Sequence, residues 1–139
     1  MTVAAASAGR AQSFLAFDFS LERTGVASGN KLLGRAQPLT TISARGDARF
    51  APIAALIAQW QPDALVVGVP RHPDGQAHDN TRRAQRFARR LQGRFGLPVH
   101  EVDERYTTVE ARAAGAGDVD AAAAALILEQ FLMESRCLT

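Results

Sequence analysis

Acidic residues at widely separated places in this sequence could together hold a metal ion. Asp18 interrupts an apolar run that is typical of a core strand. Asp103 and Glu104 follow a second apolar run, and Asp120 begins the last helix-like segment. A buried carboxylate is costly unless a cation or hydrogen-bond donors compensate its charge, and hard divalent cations prefer such oxygen ligands. The pattern therefore predicts a divalent-metal site that the fold assembles from the ends of its elements.

Each of these acids also has a purely structural explanation. Asp18 could accept hydrogen bonds from the turn that follows it, and Glu104 could pair with the neighbouring Arg105. Asp120 lies in the first turn of a predicted helix, where the helix dipole stabilises an acid by about 0.3–1 kcal/mol. The residues alone leave these alternatives open.

A helix predicted over 76–95 has one apolar face and one basic face. No acid lies between Thr81 and Phe95, and arginines four residues apart repel each other slightly. Such a face is suited to a polyanion, because guanidinium groups match phosphate, although solvated arginine faces also exist. Arg105, beside the acids, is a further predicted substrate contact. The predicted phosphate-binding arginines of the helix are Arg82, Arg83, Arg86, Arg89 and Arg90, with Arg94 on the same face.

Length and composition favour a single domain. The chain has 139 residues, of which 47% are hydrophobic, and its net charge is only +2. Cys137 is the one cysteine, which excludes an internal disulfide and favours the reducing cytoplasm. No apolar run could span a bilayer, so we expect no membrane partner. Residues 1–12 are predicted to form a flexible tail, and 13–139 the domain.

The order of predicted elements indicates an α/β domain with a mixed sheet. Gly29 and Asn30 are predicted to form the turn of a hairpin, because both residue types tolerate positive φ. The run 64–69 is apolar throughout, which is typical of a strand covered on both faces, and 97–102 is interpreted in the same way. The predicted strands are 14–18, 24–28, 31–42, 64–69 and 97–102; the predicted helices are 52–60, 76–95, a short one from Thr107, and 119–133.

A set of short motifs occurs in a characteristic order along the chain. They are Phe17-Asp18-Phe19, Gly25-Val26-Ala27, Trp60-Gln61-Pro62-Asp63, Val67-Gly68-Val69-Pro70, Asp74-Gly75, Phe95-Gly96-Leu97-Pro98-Val99, Asp103-Glu104-Arg105-Tyr106-Thr107-Thr108-Val109-Glu110-Ala111 and Asp120. Taken together they resemble the YqgF family of bacterial Holliday-junction-resolvase-like proteins, which are described as candidate nucleases of pre-16S ribosomal RNA. The likeness extends over nearly the whole chain, and the ordered set is specific although each motif alone is weak.

The resemblance implies a ribonuclease-H-like fold, with antiparallel β-hairpins followed by a βαβα segment in a mixed five-stranded sheet flanked by helices. It implies that Asp18, Glu104 and Asp120 are catalytic and bind two Mg²⁺ or Mn²⁺ ions, with Asp103 as an alternative ligand. Two such ions activate water and stabilise the leaving oxygen in phosphodiester hydrolysis. The chain departs from the family pattern at Ser20, where glycine is usual, and in lacking the lysine that commonly precedes the final aspartate.

The implied substrate is precursor ribosomal RNA, and structured DNA is a second possibility. One alternative function is a non-catalytic nucleic-acid-binding module of the same fold that acts in ribosome maturation or transcription. A second is a Holliday-junction resolvase. A third, the nucleotide lobe of an actin-like protein or sugar kinase, is disfavoured because those enzymes need two lobes. The sequence leaves the oligomeric state open.

Overall fold

The computed structural model describes residues 12–70, 79–103 and 119–137. Its described elements alternate as the sequence predicts, with strands first and helices interleaved afterwards. The elements are β1 (Ser13–Phe19), β2 (Thr24–Asn30), β3 (Arg35–Ile42), a 3₁₀ turn (Gly46–Arg49), α1 (Phe50–Trp60), β4 (Ala64–Val69), α2 (Asp79–Phe95), β5 (Val99–Asp103) and α3 (Val119–Cys137). No helix in these three segments is long and apolar enough to cross a membrane.

The strands form one five-stranded mixed sheet in the order β3-β2-β1-β4-β5. Strands β1, β2 and β3 are antiparallel neighbours, while β4 runs parallel to β1, and β5 runs parallel to β4. This arrangement confirms the predicted hairpins followed by parallel strands. It also makes β1 the central strand, with its C-terminal end beside the C-terminal end of β4.

Alternation of side chains along β1 separates two layers of the core. Leu15 and Phe17 pack against α1 and α2, whereas Phe14 and Ala16 pack against α3. Successive strand residues point to opposite faces of a sheet, so Asp18 shares the α3 face with Ala16. We refer to these two sides as the α2 face and the α3 face.

Small residues let α3 lie unusually close to the sheet. A Cβ atom on Gly25 would stand 1.9 Å from the backbone oxygen of Asp120, and one on Gly29 would stand 2.9 Å from the Leu128 side chain. The helix presents a run of alanines to the strands, and Ala124 is fully buried there. The position of Asp120 is therefore set by backbone packing against Gly25.

The turn between β2 and β3 differs from the prediction. Gly29 and Asn30 belong to β2 and do not have positive φ; instead Gly34 has a φ of 66°. The Asn30 side chain accepts a hydrogen bond from the Leu33 N–H at 2.8 Å, and its carbonyl accepts one from the Gly34 N–H at 3.0 Å. Asn30 therefore caps the start of a turn that extends to Gly34, and the predicted turn lies a few residues too early in the sequence.

Strand β5 is an outer strand of the sheet and is not buried on both faces, contrary to the prediction. His100 and Glu101 are exposed, and Val102 is the strand's buried residue. An apolar run indicates that a strand can be buried by other elements, but whether the strand lies at the centre or the edge of the sheet depends on the order in which the strands pair.

Three predicted segments extend beyond the described residues. Of the predicted tail, Gln12 is described, and its N–H donates to the Asp63 carboxylate at 2.9 Å. Residues 1–11, the first three residues of the predicted basic helix and the short helix predicted from Thr107 lie outside the described residues.

Candidate active site

Asp18 lies next to last in β1, on the α3 face. Its register partners are Gly25 on β2 and Gly68 on β4, so no side chain flanks it from either neighbouring strand. The residue is half-buried, not fully buried as its apolar neighbours predicted, because it stands where β1 approaches the end of the sheet. This half-buried position, with glycines as its neighbours on both adjacent strands, suits a carboxylate that contacts a ligand.

Asp120 lies in the first turn of α3, with its backbone directly over Gly25. Since Gly25 is also the register partner of Asp18, the fold brings these two predicted site residues to the same glycine. The Asp120 carboxylate accepts a hydrogen bond from the Arg23 Nε at 2.9 Å. The Arg23 side chain is 55% exposed and that of Asp120 is 29% exposed, so solvent reaches this ion pair.

Asp103 does not lie on the same face as Asp18. It is the register partner of Val69, which packs with α2, so strand alternation assigns it to the α2 face. Its Oδ1 atom is buried, and its backbone carbonyl accepts a hydrogen bond from the Gln130 Nε2 at 3.2 Å. This placement does not favour Asp103 as the alternative third ligand.

Glu104 and Arg105 lie outside the described residues, so their predicted roles stay predictions. Among the residues that are described, no three acidic, histidine or cysteine side chains form a cluster that could hold a metal ion. The described part of the site therefore consists of Asp18 and Asp120, brought together around Gly25.

The turn from β1 to β2 carries Arg23 toward Asp120. Ser20 closes it: the Ser20 hydroxyl donates to the Arg23 carbonyl at 2.9 Å and accepts from the Arg23 N–H at 3.1 Å. The Ser20 N–H also donates to the Arg23 carbonyl at 2.9 Å. Serine at the position where glycine was expected thus fixes the turn that presents Arg23.

Arg49 contacts the same turn from the α2 face. The sequence did not predict this role for Arg49. Its side chain donates to the carbonyls of Ser20 and Leu21, both at 2.8 Å, and to the Thr24 hydroxyl at 2.9 Å. The residue is only 3% exposed, and burial lowers the pKa of its guanidinium. Nothing in the sequence distinguished Arg49 from the other arginines, because its partners become neighbours only in the fold.

The arginines of α2 fall into two groups. Arg90 pairs with Asp47 of the 3₁₀ turn at 2.6 Å, and Arg94 lies 3.9 Å from the same carboxylate. Hydrogen bonding from Arg90 is the main cause that lowers the pKa of Asp47. Arg82 pairs more loosely with Asp79, at 3.4 Å.

The remaining predicted arginines of the helix are Arg83, Arg86 and Arg89. All three are exposed, and none makes an ion pair within the described segments. The basic face was predicted correctly, but Asp47, which neutralises part of it, was missed because it lies 43 residues from Arg90 in sequence.

Comparisons with known proteins agree with this geometry. The family model described as "RuvX: Holliday junction resolvase" matches residues 12–134. A protein of Albidiferax ferrireducens named "Putative pre-16S rRNA nuclease" is 69% identical over 87% of this chain and 78% of its own length. A Polaromonas protein of the same name is 65% identical over 87% of this chain and 88% of its own length.

Solved structures resemble the fold at low sequence identity. Thermus thermophilus RuvC in complex with a Holliday junction matches with a TM-score of 0.55 and 14% identity, over 89% of this chain and 96% of that chain. A second structure of the same RuvC gives a TM-score of 0.51 at 13% identity, over 90% and 96% of the two chains. These likenesses confirm the predicted ribonuclease-H-like fold.

The sheet order, the acids at the end of β1 and the start of α3, and the family match over 12–134 lead to one assignment. The chain belongs to the RuvX family, the YqgF-type family described as Holliday junction resolvases, and is therefore an enzyme of the class that hydrolyses phosphodiester bonds in nucleic acids.

Proposed function

We propose that this protein is a divalent-metal-dependent endonuclease that cleaves precursor 16S ribosomal RNA. The observation that carries the proposal is the placement of Asp18 and Asp120 beside Gly25 at the C-terminal end of β1. Support for the substrate comes from the relatives that bear the name of a pre-16S rRNA nuclease. The reaction would take place in the cytoplasm, the location that the single cysteine favours.

The residues present fit a metal site of the expected kind. Asp18 is flanked by two glycines, and the Asp120 carboxylate is held by Arg23, whose side chain is more than half exposed. An exposed ion pair contributes little to stability, so Arg23 can yield Asp120 to another cation at small cost. Asp18, Glu104 and Asp120 would hold Mg²⁺ or Mn²⁺, in a site for two ions.

Bound ions would supply an activated water and a stabilised leaving oxygen. The chain's own residues contribute position and charge. Asp18 and Asp120 concentrate negative charge at one end of the sheet, and Arg23 balances part of it. The exposed Arg83, Arg86 and Arg89 would bind phosphates of the RNA on the neighbouring α2 face.

The test is cleavage of a precursor 16S RNA fragment by purified wild-type protein and by Asp18→Asn, with Mg²⁺, with Mn²⁺ and with EDTA. We expect metal-dependent cutting that falls at least about a hundredfold in the variant, because one ligand of the site is lost. Glu101→Gln is the matched control, since it removes one charge from an exposed position on β5. Equal cleavage by wild type and Asp18→Asn would contradict the proposal.

A second candidate function is the resolution of four-way DNA junctions, which the description of the matching family favours. The same proteins should therefore be assayed on a four-way DNA junction. Cutting of the junction together with an intact RNA fragment would assign the site to DNA. Metal-independent binding of either substrate without cutting would identify a non-catalytic binding module.

A further inference from the structure

A cleft of about 280 Å³ lies on the α2 face, beside the turn from β1 to β2. Phe19, Phe50 and Phe87 supply its aromatic lining, and Leu21, which is 47% exposed, lines it as well. We call it the arginine cleft because its other side chains are almost all guanidinium groups. They belong to Arg45, Arg49, Arg83, Arg86 and Arg90.

The charge of the arginine cleft is one-sided. Among the described residues, none that lines the cleft is acidic, although Asp47 pairs with Arg90 nearby. Arg49 is almost fully buried, and each of its four hydrogen bonds in the described structure goes to a neutral oxygen. A buried cation without an opposing charge is costly, so an anion entering the cleft would meet a favourable potential.

The apolar lining of the cleft indicates a ligand that has an apolar part in addition to a phosphate. Phe19 and Phe87 stack with their ring centroids 4.9 Å apart, and Arg49 lies over the Phe19 ring at 4.5 Å. An anion that also carries a flat apolar group would contact both the arginines and the aromatic lining of the cleft. A nucleotide is such an anion, since it combines a phosphate with a planar base. The volume is near the lower end of small-molecule pockets, which begin at about 300 Å³, so it suits one nucleotide unit rather than a duplex.

We propose that the arginine cleft binds one unpaired nucleotide of the nucleic-acid substrate, with the base against the Phe19 and Leu21 side and the phosphate on the rim formed by Arg45, Arg83 and Arg86. The nucleotide must be unpaired because a base inside a duplex keeps its faces stacked on its neighbours. This inference rests on the proposed function insofar as it takes a nucleic-acid strand as the ligand.

The cleft is placed to act together with the acids. Phe19 directly follows Asp18 in β1, and the two side chains lie on opposite faces of the sheet. A strand held in the cleft would pass over the end of β1 to reach Asp18. The cleft would thereby fix the position of the strand next to the bond that is cut.

The probe is a fluorescein-labelled hexauridylate RNA, compared with a hexamer of the same backbone that carries an abasic site in place of every base. Binding is measured by fluorescence anisotropy in EDTA, and a gel confirms that the RNA remains intact. We expect wild-type protein to bind the intact hexamer about tenfold more tightly than the abasic one, as a single stacked base provides. Leu21→Ala should reduce this preference to about threefold or less.

Two matched controls isolate the cleft. Leu32→Ala removes the same side chain from a position that is 89% exposed on the turn between β2 and β3, and it should keep the tenfold preference. Arg86→Gln, in the cleft, should weaken binding of the intact hexamer more than that of the abasic one. Arg89→Gln, on the same helix but outside the cleft, should weaken both equally.

Equal affinity of wild-type protein for the two hexamers would overturn the inference, and so would identical behaviour of Leu21→Ala and Leu32→Ala. These outcomes are independent of the cleavage assay. A base preference without RNA cleavage would support nucleotide binding in the arginine cleft and contradict the proposed function. RNA cleavage without a base preference would support the proposed function and contradict nucleotide binding in the cleft.

Discussion

The functional residues on the two faces of the sheet lie near the end of β1, but the two faces consist of different residue types. On the α3 face, Gly25 and a run of alanines bring the helix backbone onto the strands, and this contact positions Asp120 beside Asp18. On the α2 face, phenylalanines fill the core and long arginines reach outward from it. The acidic side therefore depends on one close backbone contact, whereas the basic side is a sum of separate side chains.

The difference predicts opposite outcomes for glycine substitutions on the two faces, and these are the largest effects we expect. Gly25→Ala places a methyl group 1.9 Å from the Asp120 backbone oxygen, so α3 must move. We expect the free energy of unfolding to fall by about 3 kcal/mol. RNA cleavage should be lost as well, because Asp120 is displaced from Asp18.

Gly93→Ala is the matched control for Gly25→Ala. Gly93 lies in α2, and a Cβ atom there would meet nothing within 4 Å. Alanine favours the helix over glycine, so stability should rise by about 0.5–1 kcal/mol. Urea unfolding followed by circular dichroism measures both variants. Similar stability changes in the two would mean that the close contact of α3 with Gly25 does not control the acidic side.

Neutralising the α2 arginines that make no ion pair within the described segments should produce a graded effect on RNA binding. In the triple variant Arg83→Gln, Arg86→Gln and Arg89→Gln, the slope of log affinity against log salt concentration should become shallower by about 2, since each lost phosphate contact removes roughly 0.7–0.9. Folding should be nearly unchanged, because these side chains are exposed. Anisotropy titrations at several salt concentrations provide the measurement.

The single variant Arg35→Gln, on β3, serves as the control for the triple variant, and we expect it to leave the salt slope unchanged. The three single arginine variants of α2 are measured as well. If one of them alone reduced the salt slope as much as the triple variant does, the basic face would provide a single phosphate contact rather than a sum of contacts.

The smallest effect should come from Asp47→Asn, which releases Arg90 and Arg94 for phosphate binding. RNA affinity should rise by less than about fivefold, the range of an exposed ion pair. The hydrogen bond from Arg90 lowers the pKa of Asp47, so its carboxylate remains charged somewhat below the usual pKa of about 4. The difference from wild type should disappear only as the pH falls through that lowered pKa.

Glu101→Gln is the control for Asp47→Asn, because it removes an equal charge from a residue without an ion pair in the described structure. An equal gain of RNA affinity in both variants would show that net charge, and not the release of two arginines, is responsible.

Much of the fold could be predicted from local patterns. The apolar run of β4 predicted a buried strand, and the spacing of Ala84, Phe87 and Leu91 predicted the buried stripe of α2. Both signals arise from the periodicity of a single element, which the sequence carries directly. The edge position of β5 was not predictable in this way, because it depends on the order in which strands pair.

The sequence by itself determined that Asp18 would end a core strand, that Asp120 would begin a helix and that α2 would carry a basic face. Only the tertiary structure decided that Asp120 pairs with Arg23, 97 residues away, and that Asp47 neutralises Arg90. It also decided that Arg49 would be buried under the β1 to β2 turn. The reason is that ion pairs and buried cations depend on distances between elements, and those distances follow from packing contacts such as Gly25 against Asp120, which no local pattern encodes.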